Sequence, residues 1–147
     1  AGKKAAANVG ALVAAGGFAS IIVSGVVQSV SLLWGAVFVL GLGGGLMTVS
    51  NLSFMLDMTV VQAAGLYMGA WGVANFAGQA LGNIASGLIR DVAFRLTGSQ
   101  IVGYSTVFAL EIAGLLAAVL LFRGISVAAF RHAAEIKLPE LLAAEME

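Results

Sequence analysis

The sequence contains no cysteine, one proline, one histidine and very few charged residues. Without cysteine the chain cannot form disulfides or thiolate metal sites, and the lone His132 excludes a metal site built from several histidines. Charged residues make up 10% of the 147 positions, and hydrophobic residues 61%, whereas soluble domains are about 25% charged. Mean hydropathy is +1.05. A soluble core of this size could not bury so much apolar surface, so we predict a membrane protein. This excludes a soluble enzyme, a nucleic-acid-binding protein and a disordered chain.

The few charges are segregated, and the uncharged runs between them predict transmembrane helices. The run between Lys4 and Asp57 is long enough for two spans of about 20 residues, and the run between Asp57 and Arg90 holds a third. A fourth run, from Leu96 to Phe122, is interrupted only by Glu111. We therefore predict an all-α, polytopic membrane protein. Its transmembrane domain, residues 1–122, has helices at about 5–27, 32–55, 60–89 and 101–122.

The breaks between these helices carry few turn signals. The polar stretch Gln28–Ser31 predicts a tight turn, and Arg90-Asp91 is predicted to end the third helix. Residues 123–147 mix charged and apolar residues and contain Pro139, which predicts a cytoplasmic tail with a short amphipathic helix. We interpret the basic start, Gly2-Lys3-Lys4, as part of a retained anchor, because the apolar run after it far exceeds the 7–15 residues of a signal peptide.

The distribution of basic residues predicts the orientation of the chain. Four spans place both termini on one side of the membrane, and that side carries Lys3, Lys4, Arg123, Arg131 and Lys137. The opposite side carries only Arg90 and Arg95. Because cytoplasmic loops are enriched in lysine and arginine, we expect both termini in the cytoplasm.

Small residues recur at helical spacing and predict helix packing faces. The chain has 20 glycines, and small residues in a membrane allow two helix backbones to approach closely. The first helix carries Ala7, Ala11, Ala15 and Ala19. In the third helix the candidate packing residues are Gly65, Gly69, Ala70, Ala74, Gly78, Gly82 and Ser86. This is more packing surface than four helices are expected to use among themselves.

A second line of side chains on the third helix supplies the candidate ligand-binding residues. It consists of Tyr67, Trp71, Asn75, Gln79 and Asn83, each four positions from the next. Residues at this spacing project from one face of a helix. The three amides need hydrogen-bond partners at membrane depth, because unsatisfied polar groups in hydrocarbon cost several kcal/mol each. Two interpretations stay open: hydrogen bonds between helices, or the lining of a ligand cavity.

Glu111 is the remaining candidate binding residue, since it is the one ionisable side chain well inside a predicted helix. A charged carboxylate at the centre of a span costs about 2.5–3.5 kcal/mol on insertion scales, so we expect it to face the bundle interior. Either it is protonated and hydrogen-bonds an amide such as Asn75 or Gln79, or its partner belongs to other helices or a ligand. No catalytic motif is present, and we do not expect an enzyme.

Several segments resemble a known family. They are Asp57-Met58-Thr59, Gly65–Gly72 (which contains Gly-Ala-Trp-Gly) and Gly87–Val92 (which contains the Arg-Asp pair). They are similar to the PucC-type family, the bacteriochlorophyll-delivery branch of the major facilitator superfamily. The resemblance implies that the four helices correspond to helices nine to twelve of a twelve-helix fold, and that the chain is a fragment of such a protein.

The resemblance also implies a function. It points to a membrane factor for light-harvesting complex assembly that delivers or handles (bacterio)chlorophyll. The implied partners are lipid, light-harvesting antenna polypeptides or the reaction-centre complex, and the remaining helices of the same fold, with no nucleic acid. The implied location is the inner or photosynthetic (intracytoplasmic or thylakoid) membrane. Two alternatives stay open: a facilitator that transports a small solute, and a small four-helix structural or exporter subunit.

Overall fold

Four α-helices account for nearly all of the residues that the structure describes. The computed structural model describes residues 2–59, 63–122 and 124. The helices are α1 (Gly2–Val26), α2 (Val30–Met58), α3 (Ala64–Thr97) and α4 (Gln100–Phe122). The predicted all-α class is confirmed, and α1, α2 and α4 match their predicted bounds to within three residues. The predicted amphipathic tail, residues 123–147, lies outside the described residues apart from Gly124.

Three of the described helices are long and apolar enough to cross a membrane, namely α1, α2 and α4. This is consistent with a polytopic membrane protein. The helix α3 is not among them, because Asn75, Gln79 and Asn83 lower its hydropathy. That α3 also spans the membrane therefore stays a prediction.

The turn between α1 and α2 is tight and hydrogen-bonded. Gln28 has a left-handed backbone with a φ of 54°, and the N–H of Ser29 donates to the carbonyl of Ser24 at 3.0 Å. This pattern is the Schellman motif that ends many helices. The Ser29 hydroxyl then accepts from the N–H of Leu32 at 3.3 Å and caps α2. The predicted turn is confirmed, and α2 already begins at Val30 because Ser29 caps it.

Small residues bring α1 and α2 into close contact, and this pair packs more extensively than any other pair of described helices. The buried positions of α1 are Ala7, Gly10, Ala11, Ala14, Ala15, Gly17 and Ser24. A Cβ at Gly17 would lie 2.8 Å from the backbone of Leu40, and one at Gly10 would lie 2.9 Å from the backbone nitrogen of Met47. Glycine is therefore required where the two backbones meet, and the predicted packing role of the small residues in α1 is confirmed, except at the exposed Ala19.

The helix α4 packs on this hairpin through aromatic side chains. The rings of Phe18 and Phe108 stack with centroids 5.6 Å apart. At the end of α4, the rings of Phe54 and Phe122 meet edge to face at 5.0 Å. Aromatic pairs in these arrangements contribute about 0.5–1.5 kcal/mol beyond the area they bury. They hold α4 against α1 and against the end of α2.

The bounds of α3 differ from the prediction of 60–89. Residues 60–62 lie outside the described residues, and the helix runs from Ala64 to Thr97. The predicted end at Arg90-Asp91 is wrong, because the backbone stays helical through both residues. Their side chains pair with each other at 2.8 Å. The helix ends at Gly98, whose φ of 68° and hydrogen bond to Phe94 form a left-handed cap. A helix of 34 residues is about 51 Å long at 1.5 Å per residue, so it extends beyond a hydrocarbon layer of about 30 Å.

The position of α3 leaves most of its surface uncovered by the described helices. It packs mainly on α4 and only slightly on α2, and none of its residues is buried. A Cβ at Gly103 of α4 would lie 3.1 Å from the carbonyl oxygen of Arg90, so the two helices come close near the end of α3. Further from this contact, a groove lies between the two helices.

Candidate functional site

The groove between α3 and α4 brings together most of the predicted ligand-binding residues. Its volume is about 430 Å³. It is lined by Ala74, Asn75, Gly78, Gln79, Gly82, Asn83, Ser86 and Glu111. The α3 residues meet here because positions three and four apart share one face of a helix. The sequence predicted the amides and Glu111 separately, and the structure places them around one groove.

The amides of α3 partly satisfy one another. The side-chain nitrogen of Gln79 donates to the side-chain oxygen of Asn75 at 3.1 Å, one turn along the same helix. Ser86 turns its hydroxyl to its own helix, where it donates to the carbonyl of Asn83 at 3.0 Å. The amide groups of Gln79 and Asn83 keep further hydrogen-bonding capacity, because a carboxamide has two donor hydrogens and two acceptor lone pairs. The groove therefore offers both donors and acceptors to a ligand.

Glu111 supplies the carboxylate of the site from α4. It lines the groove and also an adjoining hollow of about 170 Å³, whose other lining residues include Ala85, Val107 and Leu110. Its side chain is exposed, and within residues 2–59 and 63–122 it forms no ion pair with a lysine or arginine. A carboxylate beside amides and small residues can accept hydrogen bonds or act as an oxygen ligand to a hard cation such as Mg²⁺. Its expected amide partners, Asn75 and Gln79, line the same groove.

The two aromatic members of the predicted line lie outside the groove. Trp71 is one helical turn before Asn75 and 38% exposed, and Tyr67 is a further turn away and half-buried. Neither contributes to the lining. The structure therefore divides the predicted line into an aromatic end and an amide end, and the amide end forms the groove.

The predicted packing residues of α3 form an open surface. No heavy atom of another described helix lies within 4 Å of a Cβ built at Gly65, Gly69, Gly78 or Gly82. Ala70 and Ala74 are exposed, and Ser86 is half-buried at the edge of the groove. The packing role of this surface stays a prediction that needs a partner other than the helices described.

One ion pair between distant residues was not predicted from the sequence. The Lys3 ammonium contacts both carboxylate oxygens of Asp57 at 2.8 Å. Lys3 begins α1 and Asp57 lies near the end of α2, so an antiparallel hairpin of similar lengths brings them together. The predicted bounds of the first two helices already place Lys3 and Asp57 at the same end of such a hairpin, so the contact could have been inferred from the sequence. The pair ties the open ends of the hairpin together beside the Phe54–Phe122 contact.

Comparisons with known proteins give a family match. The sequence matches the family described as PUCC protein over residues 1–130. A relative from Rhodobacter capsulatus, described as Protein PucC, is 34% identical over 109 residues. The match covers 70% of this chain and 24% of the relative, so the chain spans about a quarter of that protein's length. No solved structure matches the chain significantly.

Proposed function

The chain belongs to the PucC family, and from this membership we propose that it is part of a membrane factor for the assembly of photosynthetic light-harvesting complexes. Support comes from a family match that covers the four helices. The three apolar helices make the protein integral to a membrane. We further propose that this membrane is the inner or photosynthetic membrane, with both termini in the cytoplasm. The five-to-two distribution of basic residues supports that orientation.

Within this function, the groove between α3 and α4 handles (bacterio)chlorophyll as cargo. The observation that carries this proposal is the set of amides and a carboxylate beside small residues on a helix surface. A chlorophyll presents a magnesium ion, ring carbonyl oxygens and a long apolar tail. Glu111 offers an oxygen ligand of the kind that magnesium prefers, and the amides of Gln79 and Asn83 offer donors to ring carbonyls. The small residues leave room for a flat ring to approach the helix backbone.

The uncovered surface of α3 is the proposed contact for other helices. Gly65, Gly69 and Ala70 form its beginning, and small residues at this spacing favour close helix association in lipid. Antenna polypeptides, a reaction-centre complex and the remaining helices of a longer chain are the proposed partners. A pigment held in the groove lies beside such a partner, which suits transfer from one to the other.

Absorption spectroscopy tests the cargo directly. The protein is purified from a pigment-producing host, and its bound (bacterio)chlorophyll is measured per polypeptide. We expect a stoichiometric pigment band in the wild type. Glu111→Leu and Asn83→Leu should each reduce bound pigment about tenfold, which corresponds to about 1.4 kcal/mol of binding free energy.

The matched control for this experiment is Asn51→Leu. Asn51 is an exposed asparagine on α2, so the same substitution is made outside the groove. It should leave bound pigment at the wild-type level, and immunoblots of membranes should show equal amounts of all variants. A wild-type protein without pigment would refute pigment handling, and equal pigment in the Asn83 and Asn51 variants would refute the groove as its site.

A further inference from the structure

A second cleft, separate from the groove between α3 and α4, lies where the turn between α1 and α2 meets the beginning of α4. Its volume is about 490 Å³. The lining residues are Ile21, Ile22, Ser24, Gly25, Gln28, Ser29, Val30, Leu33, Ile101, Tyr104, Ser105 and Phe108. Polar side chains at the turn form one end of the cleft, and aliphatic and aromatic side chains form the rest. The cleft is therefore amphipathic along its length.

Helix geometry gives the depth of this cleft. Its lining extends from Gln28 in the turn to Ile21 on α1, and from Ile101 to Phe108 on α4. Seven residues of helix correspond to about 10 Å. Because α1 and α4 are both apolar enough to cross a membrane, their turn end lies near the polar surface and the far end of the cleft lies within the hydrocarbon. The cleft thus follows the direction of a lipid molecule, from headgroup to acyl chain.

A polar pocket adjoins the cleft at Tyr104. It measures about 180 Å³ and is lined by Arg90, Asp91, Phe94, Gln100 and Tyr104. The guanidinium carbon of Arg90 lies 5.7 Å from the centre of the Tyr104 ring, and two of its nitrogens donate to one oxygen of Asp91 at 3.0 and 2.8 Å. The cation is therefore held in a defined position at the entrance to the apolar cleft.

The charges at this end favour an anionic ligand. Among the described residues, the charged side chains that line the pocket are Arg90 and Asp91, and the exposed Arg95 follows one turn after Asp91 at the same end of α3. Two cations against one anion leave a net positive charge, and Arg95 forms no ion pair with any described residue. Arginine binds phosphate oxygens strongly because its planar donors match their geometry.

We propose that the cleft and its adjoining pocket bind one anionic glycerophospholipid. Its phosphate lies beside Arg90 and Gln100, and the upper part of an acyl chain lies between Ile21 and Phe108. The combination of a fixed cation, a polar entrance and an apolar cleft running into the hydrocarbon supports this ligand class.

Native mass spectrometry of the protein released from nanodiscs tests this proposal. The nanodiscs contain equal amounts of phosphatidylglycerol and phosphatidylcholine with identical acyl chains, so that only the headgroup differs. We expect one retained phosphatidylglycerol per protein, and about tenfold less phosphatidylcholine. Equal retention of both lipids by the wild type would overturn the proposal.

Two pairs of variants locate the lipid. Gly25 and Gly16 are both exposed glycines of α1 with open space around them, but only Gly25 lines the cleft. Gly25→Leu should therefore reduce retention of phosphatidylglycerol about tenfold, while Gly16→Leu should not change it. Arg90→Gln should abolish the preference for phosphatidylglycerol. Lys3→Gln, which also removes a cation from an ion pair, should keep it. Wild-type retention in Gly25→Leu, or an unchanged preference in Arg90→Gln, would overturn the assignment to this cleft.

Discussion

Substitution of Gly43 by alanine should weaken the contact between α1 and α2 more than any comparable change at the other glycines nearby. A Cβ at this position would overlap the backbone nitrogen of Ala14 and would lie 2.8 Å from the Ala14 Cα and from the carbonyl oxygen of Gly10. All three are backbone atoms that no side-chain rotation can move. The two helices must therefore shift apart to accept a single methyl group.

The magnitude follows from two opposing effects. In an otherwise open helix, replacing glycine by alanine gains up to about 1 kcal/mol. Forcing an extra carbon into a close-packed interior costs about 1–3 kcal/mol, and the rigid backbone around Gly43 places this site at the upper end. We expect a net loss of about 1–2 kcal/mol in the free energy of unfolding. Gly41 and Gly45 are matched controls, because no neighbouring heavy atom lies within 4 Å of their added Cβ.

Unfolding in mixed detergent micelles, followed by pulse proteolysis at increasing denaturant, measures these differences. Gly43→Ala should shift the midpoint to lower denaturant, whereas Gly41→Ala and Gly45→Ala should leave it unchanged or raise it. If all three variants unfold at the same midpoint, the close approach of α1 and α2 does not exist in solution. A larger residue gives a second measurement: Gly43→Leu should prevent the hairpin from forming, while Gly41→Leu should accumulate normally in membranes.

Three further predictions concern the turn, the ion pair and the packing face of α3. Gln28→Gly should preserve or raise stability, whereas Gln28→Val should lower it by about 1–2 kcal/mol, because a β-branched residue tolerates a positive φ poorly. The unfolding midpoints from pulse proteolysis measure this difference. A valine variant with the wild-type midpoint would contradict the prediction. A double-mutant cycle of Lys3→Ala and Asp57→Ala should give a coupling of about 0.2–1 kcal/mol that falls at high salt, since the two side chains are 54% and 38% exposed. A coupling that salt does not change would argue against a solvated pair. Gly78→Leu should disrupt association of α3 with its partner helices more than Leu88→Ala does, because a leucine at Gly78 forces two helix backbones apart. Equal crosslinking of both variants to partner helices would refute the small residues of α3 as a packing face.

The three amide residues of α3 show how much of a binding site can be predicted from sequence periodicity. Residues four apart share a helix face, so the spacing alone places Asn75, Gln79 and Asn83 in one group. Hydropathy likewise indicates that Glu111 needs a partner or a polar environment. Their meeting in one groove, and the exclusion of Trp71 from it, depends on how α3 is rotated and tilted against α4. Neither rotation nor tilt is encoded in the spacing of residues on a single helix.

The two helix ends differ in how well the local sequence predicts them. The turn at Gln28 and Ser29 was predictable, because a polar break between two long apolar runs has few alternatives. The end of α3 was not, since the charged pair Arg90-Asp91 ends an apolar run without ending the helix. The residue that does end it, Gly98, is a local signal, but it lies well beyond the predicted bounds of 60–89. The helix thus continues for two turns beyond the predicted boundary.

Local properties of the chain were sufficient for its class: apolar runs of spanning length require helices in lipid, because every backbone polar group must find a partner inside its own segment. The same small-residue spacing, however, occurs in α1 and in α3, and of these two sets only the small residues of α1 are buried against a neighbour among the described helices. Whether a line of small residues becomes a helix interface depends on which face each helix presents to its neighbour. The contact of Lys3 with Asp57 and the lipid-shaped cleft beside Tyr104 likewise exist only after α1, α2 and α4 assemble, because their residues lie far apart along the chain.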